Sequence, residues 1–195
     1  MTDMLLEQQQ AFGGVIDILE ATGIEYVIWG GVATVMYGEP RFTQDMDVVV
    51  RLAYDQASTL ARLLEEDGYY VSVEAIRDAL DRHFYFNVIH LETGIKIDFS
   101  VAGRDPLLAW AFERRRVLDF DEFRRASYMP PESVVLAKLR AFQEGGSTRH
   151  LDDVAGILRT LGMELDLDYV GREAARMEVF GTWRELLARS GRGRV

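Results

Sequence analysis

The chain has 195 residues, 48% of them apolar, a formal net charge of −10 and no cysteine. Its size and apolar share suit one compact catalytic domain with a small appendage, and exclude both a disordered chain and two large independent domains. The missing cysteines exclude disulfides and thiolate-bound zinc, no apolar run approaches the ~20 residues that cross a bilayer, and the acidic balance disfavours broad, non-specific binding to nucleic acid.

The opening MTDMLLEQQQ lacks the basic start and apolar stretch of a signal peptide, so cytoplasm is the expected compartment and no membrane partner is expected. Residues 4–22 carry apolar positions at helical spacing (Leu5, Phe12, Val15, Ile16, Leu19) and stop at Gly23. IEYVIW (24–29) reads as a buried strand, Gly30-Gly31 as a turn, and VATVMYG as a short helix closing at Gly38. QDMDVVV (44–50) reads as a second strand whose continuous apolar end suits a central, two-sided position in a sheet. A helix is expected over 54–67 and a short strand in YYVSV. Two more strands are expected, at 82–91 and 95–101, joined by a Glu92-Thr93-Gly94 hairpin loop. A helix at 105–113 precedes two short strands in RRRVLDFDEFRRASY.

The texture changes at Pro130-Pro131. Helices are expected over 132–143, 149–162, 166–178 and 180–189, with a frayed tail SGRGRV. The expected organisation is therefore an α/β domain over residues 1–130 and a helical C-terminal subdomain over 131–195. Arg104–Arg149 holds nine Lys/Arg against seven Asp/Glu, so a local basic surface and a mixed solvated face are both open readings there.

The chemistry concentrates in 26–50. Alternation along a strand sends Asp45 and Asp47 to one face, where two carboxylates repel each other in an apolar setting. A cation between them removes that cost, and Mg²⁺ takes one or two carboxylates together with phosphates and waters. Upstream, Gly30-Gly31 opens a helix whose free N–H groups suit an anion, and glycine admits phosphate close to the backbone. In IKIDFSV, Asp98 shares a face with Lys96 and Ser100. Beside strand 44–50 it would reach the same metals or act as general base; otherwise it is an acid paired with Lys96. Arg41 can pair with phosphate or with Asp45. His83, His90 and His150 lack ligand spacing and read as structural.

Gly30-Gly31, Gly38, Arg41, Thr43, Asp45 and Asp47, in GGVATVMYGEPRFTQDMDVVV, resemble the first motif of the DNA polymerase β-like nucleotidyltransferase superfamily, closest to its AbiEii-type toxin branch. IKIDFSV resembles the strand that supplies that fold's third carboxylate, and PESVVLAKLRAFQEGGSTRHLDDVAGIL resembles the branch's helical motif. The chain departs from the pattern in having Gly30-Gly31 where Gly-Ser is frequent, and in a less complete Lys/Asp/Arg set after Arg149.

The resemblance implies an α+β nucleotidyltransferase fold, a mixed central sheet flanked by helices with a helical C-terminal part. It implies an NTP substrate and a Mg²⁺ site, of two metals, held by Asp45, Asp47 and Asp98 as catalytic ligands. Gly30, Gly31, Arg41, Thr43, Lys138 and Asp153 become nucleotide-binding positions, with Lys138 on the triphosphate. The implied acceptor is RNA, tRNA or protein, in a toxin that has an antitoxin partner. Two alternatives are a non-catalytic nucleotide- or partner-binding module and a small-molecule transferase of the aminoglycoside-modifying kind.

Overall fold

The computed structural model describes residues 2–190, with side chains from Met4 onward. The last five residues of the tail expected to fray lie outside the described residues. The chain falls into two compact units, one of residues 1–29 and 43–128 and one of residues 30–42 and 129–195.

The first unit is built on a seven-stranded mixed sheet. Its strands are β1 (Glu25–Trp29), β2 (Met46–Arg51), β3 (Tyr69–Tyr70), β4 (Tyr85–His90), β5 (Lys96–Val101), β6 (Arg116–Asp119) and β7 (Arg125–Tyr128), in the order β3-β4-β5-β2-β1-β7-β6. β2 lies at the centre, antiparallel to β1 and parallel to β5, as its run of buried Val48, Val49 and Val50 requires. Period-2 alternation buries Met46, Val48, Phe86, Val88, Ile97 and Phe99 together, and Phe86 stacks on Phe99 with ring centroids 4.9 Å apart. Full burial of a side chain such as Phe99 stabilises by about 1.5–3 kcal/mol. α3 (Ala57–Glu66) packs against α1 (Thr2–Thr22), α4 (Val73–Arg82) and β3, and α4 packs against β4 and β5. α5 (Pro106–Glu113) packs against β1.

The sequence pattern predicts no helix at α4; the strand expected in YYVSV stops at Tyr70, and Val73 is the first residue of the helix. Ser72 caps it by accepting from the N–H of Ala75 at 3.3 Å, and the helix ends at His83 in the left-handed region, φ 51°. β2 likewise begins at Met46, so Asp45 precedes the strand. The basic cluster of this unit is paired: Arg115 with Glu25, Arg124 with Asp17 and Asp121, and Arg125 with Asp119.

The second unit is helical: α2 (Gly30–Tyr37), α6 (Pro131–Gly145), α7 (Arg149–Leu161), α8 (Leu167–Arg176) and α9 (Phe180–Arg189). α6 is its hub, burying Val134, Val135, Leu136 and Leu139 among α2, α7 and α8. Gly38 permits the closest approach: a Cβ there would stand 2.9 Å from the Thr34 carbonyl oxygen and 3.3 Å from the Ile157 nitrogen. Among the described residues no helix is long and apolar enough to cross a membrane.

Candidate functional site

In the first unit, register sets acids on neighbouring strands. Trp29 pairs with Asp47 across β1 and β2, Asp47 with Asp98 across β2 and β5, and Asp98 with Asn87 across β5 and β4. Paired residues share a face, so Asp47, Asp98 and Asn87 form one row across three strands. Asp45 enters from the loop before β2. That loop is held to α1 by Gln8, whose Nε2 donates to the carbonyls of Thr43 at 2.8 Å and Gln44 at 3.1 Å. The Thr43 hydroxyl donates to the Asp45 carbonyl at 3.3 Å.

Lys96 lies two residues before Asp98 on the same face, and its Nζ stands 2.8 Å from Asp98 Oδ2. The other oxygen, Oδ1, accepts from Asn87 Nδ2. The hydrogen bond to Asp98 raises the Lys96 pKa above the ordinary lysine range. Burial opposes the rise, and the charges of Asp98, Asp45 and Asp47 add to it. All three carboxylates thus act on one ammonium.

The second unit holds a separate ionic cluster. Arg41 grips Asp153 through both oxygens, Nε to Oδ1 at 2.8 Å and Nη2 to Oδ2 at 3.0 Å, and Lys138 Nζ reaches Oδ2 at 2.8 Å. Asp153 and Lys138 are buried, at 6% and 9% exposure. Burial alone would raise the Asp153 pKa, but the hydrogen bonds from Arg41 and then Lys138 outweigh it and hold the carboxyl below its ordinary range. Burial, then the Lys138 charge, lowers the His150 pKa. The carboxylate that Arg41 meets is therefore Asp153, 112 residues away, and not the Asp45 that the sequence offered. Gly30 opens α2 at φ +59°, a backbone that disfavours any side chain, and its carbonyl accepts from the Thr34 hydroxyl at 2.6 Å. Gly31 is the next residue of the same helix.

Nothing in the sequence marks Gln8 or Asn87 as part of this site. Asn87 sits at an exposed alternate position of β4, and only the register brings it to Asp98. Among the described residues no three His, Asp or Glu side chains are gathered closely enough to hold a metal ion. The half-buried Asp45 and Asp47 suit Mg²⁺ by donor chemistry. Asp98 already has a cationic partner, the Lys96 ammonium at Oδ2, and a divalent ion there would have to share it.

Neither a protein-family model nor a curated protein sequence matches the chain. Solved structures do. A solution structure of the antibiotic-resistance factor ANT(2'')-Ia aligns over 94% of this chain and 95% of its own, with TM-score 0.58 and 12% identity. A crystal structure of ANT(2'')-Ia in complex with adenylyl-2''-tobramycin aligns over 88% and 97%, with TM-score 0.59 and 16% identity. JHP933 from Helicobacter pylori aligns over 94% and 77%, with TM-score 0.54 and 15% identity. The fold is that of the nucleotidyltransferases. Its mixed sheet, with β2 and β5 side by side at the centre, agrees with the architecture expected from the sequence.

Proposed function

We propose that the chain is an enzyme that transfers a nucleotidyl group from an NTP to a hydroxyl acceptor. The observation that carries this reading is the Asp47–Asp98 register across β2 and β5, with Asp45 acting on the same ammonium. Mg²⁺ held by Asp45 and Asp47 would neutralise triphosphate charge and polarise the reacting phosphate. Asp98 takes the proton of the acceptor hydroxyl. The acceptor oxygen bonds to the α-phosphorus, and the bond to pyrophosphate breaks. Asn87 orients the Asp98 carboxylate through Oδ1. Gly30, Gly31, Arg41, Thr43, Lys138 and Asp153 carry over as nucleotide-binding positions on the AbiEii resemblance, which also supports RNA, tRNA or protein as acceptor and an antitoxin as partner.

A second reading has its own observation. Tyr85 and Ile89 flank Asn87 on β4, and Tyr70 of β3 pairs with Ile89, so three exposed apolar side chains border the carboxylate row on its own face. Tyr85 and Tyr70 are 55% and 59% exposed. Such a shelf suits a small, ring-bearing hydroxyl compound, and the fold likeness to ANT(2'')-Ia supports the same alternative. The test is incubation with each α-labelled NTP and Mg²⁺ against total RNA, lysate protein and a panel of aminoglycosides. Label on RNA or protein supports the macromolecular acceptor, and label on a small hydroxyl compound the second reading. Tight Mg-NTP binding with no labelled product in any arm would leave a non-catalytic binding module instead.

A further inference from the structure

We infer that Lys96 is the resident cation of the carboxylate site, so that the chain takes one divalent cation where three open carboxylates would take two. The inference rests on the nucleotidyl-transfer reading and sharpens its metal requirement. Lys96 and Asp98 lie on one face of β5 with Nζ 2.8 Å from Oδ2, and Asn87 holds Oδ1 from the neighbouring strand. Each oxygen of Asp98 thus already has one partner, and the partner at Oδ2 is itself a cation.

Charge points the same way. The ammonium cancels one of the three carboxylate charges, so the protein's own groups attract a second divalent ion less strongly than three unpaired carboxylates would. A second divalent ion at Asp98 would meet twice the repulsion from the ammonium that a monovalent ion would. The residue type matters too. Of the 22 basic residues only Lys96 and Lys138 are lysines, and the rest are arginines. A lysine ammonium is a compact, strongly hydrated point charge, closer in form to a metal ion than a flat guanidinium.

The experiment counts metal ions, with Mn²⁺ as the probe. Mn²⁺ bound per chain is measured by electron paramagnetic resonance at saturating non-hydrolysable NTP analogue. The parent should bind one Mn²⁺. Lys96→Met, which keeps the stem and removes the charge, should bind two, the second on the order of tenfold or more tighter than any weak second binding in the parent. Lys96→Arg, which restores the charge, should return the count towards one. Thermal melts of each variant establish that it is folded. A parent that binds two Mn²⁺, or a folded Lys96→Met that still binds one with parental affinity, overturns the inference. Asp45→Asn separates this failure from the deeper one. If Asp45→Asn abolishes Mn²⁺ binding while Lys96→Met leaves the count unchanged, only the role of Lys96 falls. If Asp45→Asn binds Mn²⁺ like the parent, the carboxylate reading falls with it.

Discussion

Replacing Asp153 by asparagine removes one charge from a cluster that faces two cations. The carboxylate is 6% exposed and receives Arg41 at 2.8 and 3.0 Å and Lys138 at 2.8 Å. Asparagine keeps the shape but leaves the Lys138 ammonium, 9% exposed, without a counter-charge. Removing one partner of a buried pair costs about 3–5 kcal/mol. In a chain of this size each kcal/mol lowers Tm by about 2–4 °C, so calorimetry should show a fall of roughly 6–20 °C. The double variant Asp153→Asn/Lys138→Met should recover part of the loss, because its remaining cation, Arg41, is 24% exposed and can turn to water. Acid supplies a second readout. The folded Asp153 pKa lies below its ordinary 3.8, so the cluster's contribution is complete above about pH 4 and is lost as pH falls through the lowered folded value. The parent should show this acid loss and Asp153→Asn should not. An Asp153→Asn protein within about 1 kcal/mol of the parent at pH 7 would refute the buried-cluster argument.

Gly38→Ala should destabilise by about 1–3 kcal/mol in denaturant titration, since its Cβ would lie 2.9 Å from the Thr34 carbonyl oxygen; a neutral effect would mean that α2 and α7 shift freely. Asp45→Asn should abolish the Mg-NTP-dependent rise in Tm and can raise Tm without ligand by relieving carboxylate repulsion, which paired melts with and without Mg-NTP check. Asp98→Asn should lower the single-turnover rate on the order of a hundredfold or more while leaving NTP affinity near parental; an unchanged rate would remove the base assignment. The lowered folded pKa of His150 means that the unfolded chain protonates first, so stability should decline as pH drops below about 6.5. His150→Gln should flatten that decline in melts across this range.

Residues 24–29, 44–50 and 95–101 declare strands through their own alternation or continuous apolar runs, and residues 132–189 declare helices through apolar spacing and glycine stops. These are local signals, carried by residues within a few positions of one another. The central place of β2 was legible for the same reason, since three consecutive valines suit only a strand buried on both faces. α4 is not legible in the sequence because its charged stretch EAIRDALDR lies between two strand-like runs, and its apolar face, Ile76 and Ala79, is short. The companions of the acids were beyond the sequence. Lys96 stands two residues from Asp98 and could be named beforehand, but Asn87 meets Asp98 only because β4 and β5 pair in one register out of several. Arg41 meets Asp153 across 112 residues, and Gln8 meets Thr43 across 35. Residues 30–42, which read as part of the first domain, cluster instead with residues 129–195. A residue's own neighbours in the chain decide whether it is helix or strand and which face it takes. Which distant charge answers it depends on how whole elements pack, and packing is settled by the burial of many side chains at once.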